Sequence, residues 1–202
     1  MHKVIKPKIM YFGTPVVLIS TLNEDGSANL APMSSAWWLG QTCMLGLGQS
    51  SKTVENLLRE GECVLNLPSS DMVEAVDKLA CTTGKNPLPE HKTKMGFKFI
   101  NNKFETANLT EIDSELVKPP RVLECPVQLE GKTVKFHRLS PEGHSAYAIE
   151  VEILRMHIEE KLLSDKRRHY IDTDKWKPLI MSFCEFYGLG ENVHSSRLAK
   201  VF

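Results

Sequence analysis

The sequence predicts a mainly β protein, an antiparallel barrel with peripheral helices. Three observations carry this expectation. Apolar and β-branched runs outnumber helix-periodic segments, most neighbouring runs are joined by short turns, and Asp25-Gly26 is a strong tight-hairpin signal. The 202 residues suit one domain, residues 1–202. A chain of this size buries about 70 % of its unfolded surface and needs no staple.

The elements follow in order. Residues 15–22 form a β-branched run that ends at Asn23-Glu24-Asp25-Gly26. The return strand, residues 27–36, contains Pro32, which cannot donate to a ladder and so marks an edge or a bulge. Residues 42–48 make a third strand whose Gly46 and Gly48 suggest close approach to the backbone. A helix follows from Ser51 to Arg59, capped by Ser50 or Ser51, with Val54, Leu57 and Leu58 as its apolar stripe and Gly61 as its stop. Residues 63–67 are a fourth strand ending at Pro68. The next helix, from residues 69–71 onward, aligns Met72, Ala75, Val76, Leu79 and Ala80. Residues 81–109 are irregular, with one short helix expected before Gly96. Glu130-Gly131-Lys132 reads as a hairpin turn between strands at 121–129 and 133–139. A long strand at 145–158 places Tyr147, Ile149, Val151 and Ile153 on one face.

Charge and composition narrow the function. Lys plus Arg and Asp plus Glu number 25 each, a balance that argues against a chain devoted to nucleic acid. No apolar run approaches the roughly 20 residues needed to span a bilayer, and residues 1–7 lack a signal-peptide core, so a cytoplasmic location without membrane attachment is expected. The five cysteines are widely spaced without a C-x-x-C pair, and the seven histidines show no paired ligand spacing. Small buried cysteines and no protein metal site are therefore expected. No G-x-S-x-G nucleophile turn is present.

The segment Gly46-Leu47-Gly48-Gln49-Ser50-Ser51-Lys52-Thr53 carries the clearest chemistry. It misses the P-loop pattern because Ser51 stands where the second glycine belongs, and no βαβ alternation surrounds it. Its physics still favours an anion: a helix N-terminus with free amides, the hydroxyls of Ser50, Ser51 and Thr53, and the charge of Lys52. A simple cap at Ser51 with a solvated Lys52 is the alternative.

Five ordered segments carry a family resemblance. They are Thr14-Pro15-Val16-Val17-Leu18-Ile19-Ser20-Thr21 with Asp25 to Ser35, Ser51-Lys52-Thr53-Val54-Glu55-Asn56-Leu57, Glu62-Cys63-Val64-Leu65-Asn66, Lys103-Phe104-Glu105-Thr106-Ala107-Asn108-Leu109-Thr110, and the stretch from Pro119 to Glu130. Together they resemble the flavin reductase-like FMN-binding split-barrel family, nearest its flavoredoxin-like subgroup. The resemblance implies a six-stranded antiparallel split β-barrel with Greek-key connections, a homodimer, and FMN near the subunit interface. Residues 160–202 would be a C-terminal extension packing on the barrel or on the dimer partner.

Carried over to matching positions, Asn29, Ala31 and Pro32 would meet the isoalloxazine edge, with Ser34, Ser35 and Trp37 close by. Ser50, Ser51, Lys52 and Thr53 would hold the phosphate with Asn56 behind them, and Lys103 would sit near the ring's polar edge. A kink at Pro32 frees backbone groups for an imide edge, and Trp37 or Trp38 can cover an apolar ring face, the other indole serving core or interface. Asn108 replaces the family's usual glycine, and Asn tolerates the left-handed region. The stretch Cys81-Thr82-Thr83-Gly84-Lys85-Asn86-Pro87 departs from the subgroup's commoner pattern.

Lys85, Lys92, Lys94, Lys98 and Lys103 face only Glu90 in nineteen residues. Such a patch suits the 2′-phosphate of NADPH, an acidic redox partner, or plain solvation. Lys166-Arg167-Arg168-His169 reads as solvated, His157 as a ring neighbour or a core or interface histidine, and Phe186 and Tyr187 as an aromatic lid. The function expected from these readings is an FMN oxidoreductase passing electrons from NAD(P)H to free flavin or another acceptor. Its alternatives are an FMN electron carrier without a nicotinamide site and a barrel that has lost its cofactor.

Overall fold

The computed structural model of the chain describes residues 1–139, 146–165 and 167–200. The N-terminal apolar run divides at Val16 into β1 (Phe12–Pro15) and β2 (Val17–Leu22). Beyond the Asp25-Gly26 turn, with Gly26 at φ +82°, β3 (Ala28–Met33) returns along β2. β4 (Ala36–Leu39) and β5 (Thr42–Gly48) form a second hairpin, and α1 (Lys52–Glu60) leads to β6 (Glu62–Leu67). A short 3-10 turn and α2 (Val73–Lys78) follow. The expected irregular stretch holds β7 (Thr82–Thr83), α3 (Glu90–Lys94), β8 (Lys98–Phe99) and α4 (Lys103–Ala107). β9 (Glu111–Ile112) and β10 (Arg121–Val122) make a small ladder. Two 13-residue strands, β11 (Val127–Leu139) and β12 (Ala146–Ile158), come next, then β13 (Leu179–Ser182) and β14 (Glu185–Gly188).

Among the described residues the main sheet is antiparallel, with seven strands in the order β3-β2-β6-β11-β12-β5-β4. It holds one strand more than the six expected. Its two edges, β3 and β4, are separated by only Ser34 and Ser35. In a flat sheet they would lie about 29 Å apart, whereas that connection reaches about 11 Å. The sheet must therefore curl until its edges meet without pairing, which leaves a seam at Ser34 and Ser35. Pro32 sits on that unpaired edge, as its missing N–H requires.

Strand alternation divides the apolar residues between two cores. Val17, Ile19, Cys43, Leu45, Cys63, Leu65, Ile149 and Val151 point inward with Val54 and Leu57 of α1. Val16, Leu18 and Leu30 point outward and are covered by Val76 and Leu79 beside α2 and by Phe104 and Ala107 of α4. β2 is thus buried on both faces. The C-terminal part contributes to both cores: Leu162 joins the first and Leu179 the second, while β13 pairs with β1. Burial pushes the thiols of Cys43 and Cys63 up to about 12, and Cys81 and Cys184 are exposed.

Two expectations need correction. Glu130-Gly131-Lys132 is no turn: β11 runs straight through it, and the strand at 121–122 belongs to the separate ladder with β9. The ladder with β12 shifts register at Gly131, where a Cβ would stand 2.7 Å from a Val151 methyl and 2.9 Å from the Glu152 carbonyl. Glycine is there because β12 crosses closely, not because the chain reverses. Ser145, expected to start the long strand, and Lys166 lie outside the described residues. The second correction concerns α4, where residues 103–107 are helical between an Asn102 cap and a left-handed Asn108 at φ +56°.

Glu130 itself is fully buried. Its carboxylate accepts from the amides of Glu115 (3.0 Å), Leu116 (2.6 Å) and Val117 (3.2 Å), and lies 2.6 Å from His157 Nε2. Of the two roles expected for His157, the structure supports the structural one. Removing this acceptor orphans three amides, so Glu130→Ala should cost about 3 kcal/mol and lower Tm by about 6–12 °C. Glu130→Gln should cost less. Thermal unfolding of both variants checks this, and an unchanged Tm for Glu130→Ala would refute the clamp.

Candidate functional site

The site begins where β5 hands over to α1. Ser51 is the N-cap, with extended backbone, and its hydroxyl accepts from the Val54 amide at 3.1 Å. The first amides of the helix, on Lys52 and Thr53, have no intrahelical acceptor and give this end its partial positive charge. Ser50 Oγ stands 3.3 Å from His91 Nε2, which α3 supplies.

Behind the helix end lies a buried amide–hydroxyl network. Asn29 Nδ2 donates to Thr53 Oγ1 and Thr21 Oγ1, both at 3.3 Å. Asn56 Nδ2 donates to Thr21 Oγ1 at 3.0 Å and Asn23 Oδ1 at 3.1 Å, and Asn56 Oδ1 accepts from Arg59 at 3.2 Å. Asn56 is thus fully engaged in holding α1 to the β2–β3 hairpin. Asn29 is not: it is 1 % exposed and its Oδ1 has no partner among the described residues.

The charge of Lys52 is distributed differently from the sequence expectation. Its ammonium is held by Glu24 at 2.6 Å and Glu55 at 2.7 Å, and this hydrogen bond lowers the Glu24 pKa. The remaining positive charge comes from residues 82–103, which cross the site. Lys85 pairs with Glu55, and a Cβ at Gly84 would stand 2.8 Å from Asn29 Oδ1 and 3.2 Å from Lys52 Cγ. Only glycine permits that approach. Lys92 donates to Thr83 Oγ1 at 3.3 Å, and burial, then Lys85, lowers its pKa.

Lys103 is 3 % exposed on α4, which packs against β3. No ion pair or hydrogen bond joins its ammonium to another described residue. Burial, reinforced by Lys92, pushes its pKa down to about 8. The basic stretch therefore splits: Lys85, Lys92 and Lys103 turn toward the site, whereas Lys94 pairs with Glu90 at the surface and Lys98 is exposed.

The other expected residues line the seam. Ala31 pairs with Ile19 and Pro32 with Leu18 on edge strand β3. Ser34 is buried, and the Ser35 carbonyl accepts from Gly46 at 2.7 Å. Trp38 packs against the first core, whereas Trp37 is 58 % exposed on the opposite face of β4. The structure thus joins Asn29, Ser50, Ser51, Lys52, Thr53 and Asn56 directly, and brings Lys103 in through Lys92 and Thr83. His91, Thr83, Glu24 and Glu55 were missed, because nothing in their local sequence shows that residues 82–103 fold back over α1. Outside this region, Arg167 lies over the Tyr170 ring at 4.9 Å.

Fold and site together define a split antiparallel barrel with an anion-attracting helix end beside an open edge strand. The sequence model for the flavin reductase like domain matches residues 9–174. The chain belongs to this family, whose role is flavin-related oxidoreduction. YdfE of Bacillus subtilis (strain 168) is 45 % identical over 192 residues, covering 95 % of this chain and 91 % of YdfE. Flavoredoxin of Desulfovibrio vulgaris (Miyazaki F) is similar in fold, with TM-score 0.78 at 22 % identity, covering 99 % of this chain and 100 % of that one. Flavoredoxin from Methanosarcina acetivorans gives 0.77 at 20 % identity, with 100 % of both chains covered.

Below pH 8 the ligand-free protein holds a charged Lys103 in a buried place. Because its folded pKa is depressed, the unfolded chain binds more protons between about pH 8 and the ordinary lysine value, and stability rises with pH across that window. Lys103→Met should therefore raise the Tm of the ligand-free protein at pH 7, with the gain shrinking as pH climbs from 8 toward 10.5. A gain independent of pH in thermal melts would refute the buried charge.

Proposed function

We propose that this chain binds FMN and carries electrons from NAD(P)H through it to free flavin or another acceptor, as a homodimer. The observation that supports this best is the N-terminal end of α1, capped by Ser51, with the lysine-bearing segment 82–103 folded against it. A helix end with free amides and nearby cations favours an anion. FMN meets this demand through its dianionic phosphate.

In this reading the α1 amides with Ser50, Ser51, Lys52 and Thr53 hold the phosphate, and Asn56 keeps the helix end in position. Asn29, Ala31 and Ser35 line the path along the edge strand, and Pro32 and Ser34 offer it backbone groups while their side chains border the cavity on the other face; residues 29 to 33 span about 13 Å, enough for a polyol and part of a ring. Trp37 is an exposed aromatic available to cover a ring face or a second subunit. The bound flavin supplies the hydride-accepting and electron-releasing chemistry. Lys103 favours negative charge developing beside it, and residues 82–103 limit water at the helix end.

The visible spectrum of the purified protein before and after FMN addition tests binding. NADH and NADPH oxidation with FMN present should show turnover; binding without turnover would favour an electron carrier that lacks a nicotinamide site. Lys52→Ala with Thr53→Ala should weaken FMN by about ten- to a hundredfold, and riboflavin far less. Equal losses for the two ligands in calorimetric titration would refute the phosphate assignment.

A further inference from the structure

From a cavity on the outer side of the seam, we infer a second binding site, for a neutral, compact aromatic molecule carrying one hydrogen-bonding substituent. The cavity has a volume of about 250 Å³ and lies between the end of β3 and the C-terminal hairpin β13–β14. Tyr11, Pro32, Ser34, Val76, Met181 and Phe186 are among the residues that line it. This site rests on the cavity alone and not on the flavin reading.

Four features specify the occupant. The walls are two aromatic rings and the thioethers of Met33 and Met181, which favour an aromatic guest over a saturated one. Among the described residues no charged side chain lines the cavity, so a phosphate or carboxylate would be stranded there. Val16 and Val76 are fully packed members of the second core, and that floor does not collapse inward. Tyr11 is pinned at both ends: its carbonyl accepts from the Phe183 amide at 2.8 Å, and its phenol oxygen accepts from Ser35 Oγ at 3.3 Å.

The polar requirement comes from Ser34. It is 7 % exposed, and its hydroxyl has no hydrogen-bond partner among the described residues. An unpartnered hydroxyl opening on an apolar cavity, on a residue otherwise buried, matches one hydroxyl or carbonyl on the guest. An apolar cavity of about 150 Å³ takes up benzene, so about 250 Å³ suits two fused rings. Placed against the edge strand, such a guest would neighbour whatever lies along Ala31 and Pro32.

Calorimetric titration of the full chain with 2-naphthol and with naphthalene, with and without saturating FMN, tests the site. Both probes should bind at one per chain. Ser34→Ala should weaken 2-naphthol about three- to tenfold and leave naphthalene unchanged. Ala80→Phe, which fills the cavity from its exposed end, should weaken both at least about tenfold, with folding verified by thermal unfolding. Absence of saturable binding, equal losses for both probes in Ser34→Ala, or competitive displacement of 2-naphthol by FMN would each overturn the inference. Binding of 2-naphthol without binding of FMN would leave this site standing and overturn the flavin proposal; the reverse result would overturn this site alone.

Discussion

The buried bonds among Thr21, Asn29, Thr53 and Asn56 hold the functional end of this molecule together. A helix end offers an anion its amides only if it stays where the strand leaves it. Four polar side chains, each nearly or fully buried, fix α1 against the β2–β3 hairpin through bonds that an apolar contact would not orient. The network costs little while every member is paired. Its one unpaired atom among the described residues, Asn29 Oδ1, is covered by the close approach of Gly84.

Charge is arranged on the same plan. The lysine on α1 is neutralised by carboxylates from its own hairpin and helix, so the net positive field arrives from residues 82–103 and from α4. Lys85, Lys92 and Lys103 approach one another, and the burial that lowers the pKa of the last two makes an anion their natural counterpart. Segment and site are coupled, because Lys85 shares Glu55 with Lys52.

Around this end the barrel supplies rigidity. β2 faces two cores, Glu130 anchors the loop at 115–117, and the tight crossing at Gly131 locks β11 against β12. The seam is the exception. There the curled sheet leaves a strand edge unpaired, with the proposed cofactor path along β3 and a separate apolar cavity beyond Ser34. An open edge in an otherwise closed sheet is a place where backbone groups remain available to a ligand.

Much of this was legible from local patterns. Asp25-Gly26 turns the first hairpin, Ser51 caps α1 and Gly61 stops it, and Asn108 takes the left-handed cap, each because one residue's backbone preference decides the outcome. Pro32 announced an edge for the same reason. Glu130-Gly131-Lys132 misled because glycine serves close packing as readily as a turn, and only the partner strand distinguishes the two. The role of Lys52 likewise depended on Glu24, 28 residues away, and the folding of residues 82–103 over α1 depended on pairings with Ser50, Glu55 and Thr83. By itself, then, the sequence determined the strands, caps, turns and the anion-favouring helix end, all set by interactions within a few residues. The tertiary structure alone decided which charges are already matched, which buried atoms remain unsatisfied and where the barrel stays open, because these depend on contacts between segments far apart in the chain.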